Sequence, residues 1–341
     1  MLLIRKRAHA RAGLLGNPSD GYNGKTISII IRNYWAEVVV YEWEDVELLW
    51  TQEERHRFRS VHDLVRDVKL HGYYGGLRLI KATIKKFVEY CERVGIHLDD
   101  RNFTARYETN IPRQVGMAGS SAIIVATLRC LMEFYGVRIP LEVQPTLACS
   151  VETEELGIAA GLQDRVIQVY EGVVYMDFCK EAMHEVNGLS CGKYERIAPS
   201  LLPPIYVAYS VDVSEPTELF HNDLRSRYQR GEPEVLAAMK KFASIAEKGK
   251  AMLESGDHQT FSKLVNENFD TRRQLCRLPP GQVAMIDRAR EVGASAKFAG
   301  SGGAIIGTYE GEAMFRSLQT ALGAIGCRVI KPNVEAGNLS G

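Results

Sequence analysis

A strand-like stretch at residues 103–109 (FTARYET) and an apolar helical stretch at residues 122–135 are joined by Ile111-Pro112-Arg113-Gln114-Val115-Gly116-Met117-Ala118-Gly119-Ser120-Ser121. No other passage narrows the fold as much. A strand must end, a tight glycine turn must form and a helix must open at once, which commits the region to mixed sheet and helix. Small residues let the backbone N–H groups of such a turn approach an anion, the helix directs its positive end there, and serine hydroxyls can bond phosphate or reach a cation. Taken alone, a tight turn with a serine cap explains the segment equally well, so the rest of the chain has to decide.

At roughly 150 residues per domain, 341 residues suggest two lobes with enough apolar side chains for a sizeable core. Residues 26–32 (TISIIIR) and 37–41 (EVVVY) read as two strands paired through a short connection at residues 33–36. Gly75-Gly76 leads into a helix at residues 77–91, and residues 140–155 read as another. Residues 166–170 and 172–178 look like strands, and Pro199, Pro203 and Pro204 mark the lobe boundary. Beyond it come a strand at 205–213, a helix beginning at Pro216 under a Ser214 cap, helices at 232–253, 258–276 and 282–292, and strands at 295–298 and 304–308 around Gly300-Ser301-Gly302-Gly303. A helix at 312–322 and a strand at 328–331 close the chain. The class is α+β.

With 42 Lys+Arg against 42 Asp+Glu, no global field draws the chain to nucleic acid or to an anionic membrane, so an anionic ligand must be captured locally. The clusters Arg5-Lys6-Arg7 and Lys240-Lys241 lack the aromatic platform of a nucleic-acid site and read as solvated faces. Seven cysteines without a C-x-x-C pair read as reduced thiols, and no apolar run suits a signal peptide or a membrane span, so the expectation is a soluble, cytoplasmic protein. Residues 19–26 (SDGYNGKT) end like a P-loop, but Ser19 replaces the first glycine and a strand follows where a helix is needed. No zinc-site spacing occurs.

Two further segments carry chemistry. Residues 11–24 (RAGLLGNPSDGYNG) set Arg11 and Asp20 in a glycine-rich turn, and residues 157–165 (GIAAGLQDR) follow the acidic helix end at Glu152 with Asp164 beside Arg165. Each has a bland reading as a surface turn or a loop cap. In this order, together with residues 297–304 (KFAGSGGA), the segments resemble the GHMP kinases, the superfamily of galactokinase, homoserine kinase and mevalonate kinase. Within it they are most similar to the glucuronokinase group, through residues 13–20 (GLLGNPSD), 72–76 (GYYGG), 111–114 (IPRQ) and 161–165 (GLQDR).

The resemblance implies a two-lobed fold, with a ribosomal-S5-like N-terminal lobe (1–199) and a ferredoxin-like C-terminal lobe (200–341). It implies ATP as donor, Mg2+ as cofactor and a sugar acid as acceptor, phosphorylated at its anomeric hydroxyl. Asp164 stands where the family has its catalytic aspartate, with Arg11 or Arg165 to pair with it. Arg11 would also stabilise charge between acceptor and γ-phosphoryl. Asp20 matches a carboxylate that bonds sugar hydroxyls. Pro112, Gly116, Met117, Ala118, Gly119, Ser120, Ser121 and Ala122 would cradle ATP. Glu152 would hold Mg2+ with either Ser120 or Ser121, because Met117-Ala118 lengthen the loop by one residue. Gly300 and Gly302 would border the substrate.

A buried sugar carboxylate needs a partner, preferably a bidentate arginine, for which Arg113 and Arg165 are the candidates. Tyr175 is the candidate for stacking on the sugar, and Tyr73-Tyr74 for flanking adenine. The acceptor expected is D-glucuronate. A neutral hexose or galacturonate, or a non-catalytic relative that binds a sugar acid or a protein, are the alternatives. The oligomeric state expected is monomer or homodimer.

Overall fold

Two long strands, β1 (Leu3–Leu15) and β2 (Lys25–Trp43), run antiparallel from Leu3↔Tyr41 to Leu15↔Ile27 and form the spine of the first sheet. The computed structural model describes residues 2–49, 55–73, 77–211 and 218–335. The two short strands expected at 26–32 and 37–41 are one strand, and its partner is β1. Residues 33–36 are no turn. Ala10 opposes Ile31 and His9 opposes Trp35, so residues 32–34 form a wide bulge and the strand continues beyond it. Sequence gave little hint of β1, because Lys, Arg, Ala and Gly are poor strand formers; pairing with a β-branched neighbour and burial from Ala8 to Leu15 decide its state.

The chain continues through β3 (Val46–Leu49), β4 (Arg55–Phe58), α1 (Val61–His71), α2 (Arg78–Arg93), β5 (Asn102–Thr109), α3 (Gly119–Phe134) and α4 (Gln144–Ser150). A widened π-type turn, Val151–Glu155, follows α4, so the helix expected to reach residue 155 changes its winding there. Then come α5 (Gln163–Tyr170), β6 (Val173–Asp177), the hairpin of β7 (His184–Val186) and β8 (Leu189–Cys191), and β9 (Lys193–Ile197). The expected strand at 166–170 is the helix α5. Gln163, Asp164, Arg165 and Gln168 give it polar residues, but residues 166–170 (VIQVY) are mostly β-branched and aromatic strand formers, and burial of Val166, Ile167, Gln168 and Val169 holds them as helix. The sheet order is β4-β3-β5-β2-β6-β9, with β1 on the other edge of β2. α3 packs on β1 and β2, and α2 packs on α3.

The second half comprises β10 (Ile205–Ser210), α6 (Glu218–Gln229), α7 (Pro233–Ser255), α8 (His258–Leu275), α9 (Pro280–Glu291), β11 (Lys297–Phe298), β12 (Ala304–Thr308), α10 (Gly311–Gly323) and β13 (Cys327–Ile330). Its antiparallel sheet has the order β11-β12-β10-β13. The expected Ser214 cap lies outside the described residues. α7 packs on β2 and α8 on β1, and one apolar cluster runs unbroken from Ile27 and Val38 to Val207, Ile245 and Phe261.

A buried lysine ties the halves together where it matters. Lys297 on β11 donates to Gly13 O (2.7 Å), Asn17 Oδ1 (2.5 Å) and Phe298 O (2.8 Å), while Asn268 of α8 accepts from Gly16 N at 2.7 Å and donates to Asn17 O at 3.1 Å. These contacts fix the end of β1, and with it the strand that carries Arg11. No described helix is long and apolar enough to cross a membrane.

Candidate active site

A cleft of about 1310 Å3 is bordered by residues from both halves of the chain, among them Arg11, Gly116, Asp164 and Gly300. Arg11 is its organising residue. It is 6% exposed, and its Nε and Nη2 donate to Asp164 Oδ1 and Oδ2 at 2.6 and 2.7 Å. Its remaining Nη1 donates to Gly116 O at 2.6 Å and reaches Ala299 O at 3.4 Å. One guanidinium thus joins the aspartate at the start of α5 to both glycine turns, using the fixed fork geometry that lysine lacks.

The turns meet closely. A Cβ on Gly300 would stand 2.5 Å from Gly116 O, and one on Gly116, which has φ +69°, would stand 2.6 Å from Gly302 O. Ala118 also adopts a left-handed backbone, φ 60°, and α3 opens at Gly119 with no side-chain cap on its first amides. Those N–H groups and the positive end of a four-turn helix are therefore available to an anion in the cleft.

Glu152, 2% exposed, sits on the π-type turn. It accepts from Ser120 Oγ at 2.8 Å and from Arg165 Nη2. Arg165 also donates to Gly161 O at 2.8 Å and stands 3.7 Å from Asp164. Ser120 and Glu152 thus present a hydroxyl and a carboxylate oxygen side by side, hard oxygen donors of the kind that would suit Mg2+. No group of three or more His, Cys, Asp or Glu that could hold a metal occurs among the described residues. Ser121 is buried and donates to Ala118 O at 3.2 Å, turned into the helix rather than toward Glu152.

Asp20 lies on the short turn Ser19–Tyr22. Burial, then the neighbouring Asp164 charge, push its carboxyl up to about 6, partly offset by Arg11. A Cβ on Gly161 would fall 2.1 Å from Asp20 Oδ2, so the glycine makes room for the acid.

Pro112 and an exposed Arg113 border the cleft. Met117 is buried yet lines the cleft, whereas Ala122 is buried and does not border it. Gly300 and Ser301 border the cleft; Gly302 turns toward Gln282. Arg165 is buried, with Nη1 on Gly161 O and Nη2 on Glu152, so that both ends of its fork are already engaged and only its buried Nε is without a partner, which disfavours a two-pronged grip on a sugar carboxylate. Tyr175 is a correction too: it lies in the core on β6 beneath Lys250, 5.0 Å from its ring, and does not border the cleft. Strand alternation alone could not say which sheet face covers it. Tyr73 borders the cleft with its hydroxyl on Glu155 at 2.9 Å; Tyr74 lies outside the described residues. Sequence reasoning missed Arg78, Arg225 and Arg272. Arg272 donates to Gly300 O (2.8 Å) and Ser301 O (3.1 Å), yet it occupies an ordinary polar helical stretch with no motif to single it out.

The GHMP kinases N terminal domain family matches residues 78–172, and the GHMP kinases C terminal family matches residues 250–324. The chain belongs to the GHMP kinases. Within them, it is 44% identical to Glucuronokinase 1 of Arabidopsis thaliana over 312 residues, covering 89% of this chain and 84% of that one. Probable glucuronokinase 2 of the same plant is also 44% identical, over 318 residues and the same shares. Among solved structures, Lactococcus lactis galactokinase complexed with galactose superposes with a TM-score of 0.81 at 14% identity, covering 98% of this chain and 94% of that one; it attests the fold.

Proposed function

We propose that the protein transfers the γ-phosphoryl group of ATP to the anomeric hydroxyl of D-glucuronate, giving D-glucuronate 1-phosphate. The observation that carries this is the Arg11–Asp164 ion pair set directly against the Gly116 turn in one cleft. The acceptor follows from 44% identity to plant proteins named as glucuronokinases. In this reading the cleft lies between lobes 1–199 and 200–341, and the enzyme works in the cytoplasm as its free thiols suggest.

Phosphoryl transfer leaves the protein little covalent work, so positioning and charge stabilisation dominate. The N–H groups at the start of α3, together with Gly116 and Ser120, cradle the triphosphate. Asp164 orients the anomeric hydroxyl and takes its proton as the O–P bond forms. Arg11 fixes the aspartate and faces the charge that builds between acceptor and phosphoryl group. Asp20 bonds sugar hydroxyls. Ser120 and Glu152 would hold Mg2+, whose charge offsets that of the phosphates.

Incubation with ATP, Mg2+ and a panel of glucuronate, galacturonate, glucose and galactose, read by ADP release and by phosphorus NMR of the product, tests the proposal. An anomeric phosphate formed from glucuronate is expected. Preference for a neutral hexose, phosphate on another hydroxyl, or no product at all would overturn it.

A further inference from the structure

Six arginines border the cleft: Arg11, Arg78, Arg113, Arg165, Arg225 and Arg272. Three are spent on protein groups: Arg11 on Asp164 and Gly116, Arg165 on Glu152 and Gly161, and Arg272 on Gly300 and Ser301. Arg78, Arg113 and Arg225 are exposed and make no hydrogen bond or ion pair with the described residues. Arg113 precedes Gly116 in the same loop, and Arg78 opens α2, which packs on the turn carrying Glu152. Both stand on the flank that the nucleotide reading assigns to phosphate.

Arg225 comes from the wall that carries Asp20. α6 is seated on the Ser19–Tyr22 turn by Tyr228, whose ring centroid lies 4.7 Å from that of Tyr22 and whose hydroxyl reaches Tyr22 O at 3.4 Å. Arg225 precedes Tyr228 by three residues, so the two share a helix face, and its positive charge is felt by the Tyr22 phenol. A carboxylate entering here meets the like charges of Asp20 and Asp164, and an anion leaving water beside them needs an uncommitted cation.

We propose that Arg225 is the specificity-determining residue for a sugar acid: its guanidinium receives the carboxylate of the acceptor on the Asp20 side of the cleft while the anomeric end faces Asp164. This rests on the glucuronate reading above. The exposed arm can present the planar, two-pronged geometry that a carboxylate prefers.

The test compares glucuronate with its neutral amide, glucuronamide, as acceptors for the unaltered chain and for Arg225→Gln, Arg225→Lys and Arg113→Gln. Where the amide is not turned over, its inhibition constant replaces its kcat/KM. Arg225→Gln is expected to lower kcat/KM for glucuronate roughly 10- to 100-fold, to leave the amide and the KM for ATP essentially unchanged, and to be partly rescued by Arg225→Lys. Equal losses on acid and amide, no loss, or transfer of the selectivity to Arg113→Gln would overturn the assignment alone. No uronate turnover by the unaltered chain would overturn the functional reading, and this assignment with it. Arg225 is exposed, so its variants should keep the parent melting temperature.

Discussion

Arg11 and Asp164, 153 positions apart in sequence, meet in a two-pronged ion pair, Nε to Oδ1 at 2.6 Å and Nη2 to Oδ2 at 2.7 Å. Their side chains are only 7% and 20% exposed, so solvent screens the pair less than it would a surface ion pair. The same guanidinium holds Gly116 O at 2.6 Å, which makes the position of the aspartate relative to the phosphate turn a property of one side chain.

Asp164→Asn keeps the shape and removes the proton acceptor. On the proposed mechanism kcat falls about 10²- to 10⁴-fold while ATP affinity, read by calorimetric titration, stays within a few-fold of the parent. Normal turnover by this variant would refute the role given to Asp164.

Glu152→Gln separates folding from cation binding. Arg165 is buried against Glu152, and losing the carboxylate leaves a buried positive charge short of its partner. Stability without ligands is expected to drop by about 3 kcal/mol, measured by urea unfolding in a chelator. An unchanged midpoint would show that the pair contributes nothing to the fold and that Glu152 serves the ligand alone.

Asp20→Asn should stabilise the free protein in a pH-dependent way. The folded carboxyl is pushed up to about 6 by burial and by Asp164, above its unfolded value of about 3.9. Between those values the native state binds more protons than the unfolded one, so stability falls as pH rises through the window and the full penalty applies above it. The variant is therefore expected to exceed the parent by about 1–3 kcal/mol at pH 7.5, the gap closing toward pH 4, while its KM for the sugar rises. A gap independent of pH would rule out the electrostatic origin.

Gly300→Ala places a methyl group 2.5 Å from Gly116 O, a backbone atom with no rotamer to yield. Separation of the two glycine turns is expected to cost about 1–3 kcal/mol in stability and to lower kcat/KM for both substrates, whereas Gly281→Ala, with nothing within 4 Å of the added Cβ, serves as the silent control. Parent-like activity in Gly300→Ala would mean that close contact of the turns is dispensable.

Much of the fold was legible because local pattern and local structure agree. α3 announces itself through the apolar run after Ser120-Ser121, and α7 to α10 lie within a few residues of the helical periodicities that predict them. The misreadings share one cause. β1 is poor in strand formers and the second half of α5 is rich in them, and both are held by what packs on them, β2 in one case and a buried pocket of α3, β1 and β6 in the other. Single residues failed likewise: nothing about Tyr175 in sequence reveals that Lys250 covers its ring, and nothing marks Arg272 as the donor that pins Gly300 and Ser301.

By itself the sequence determined which groups of small, acidic and basic residues exist and in what order, because glycine turns, helix starts and apolar periodicity are written over a few neighbouring positions. Only the tertiary structure decided which arginine meets which acid, that Ser120 rather than Ser121 faces Glu152, and that Arg225 borders the same cleft as Asp20 without a hydrogen bond or ion pair to a described residue. Those choices depend on side chains 32 residues apart, as for Ser120 and Glu152, or 153 apart, as for Arg11 and Asp164, being brought together. Side-chain charge pairing is short-ranged, and no local pattern encodes it.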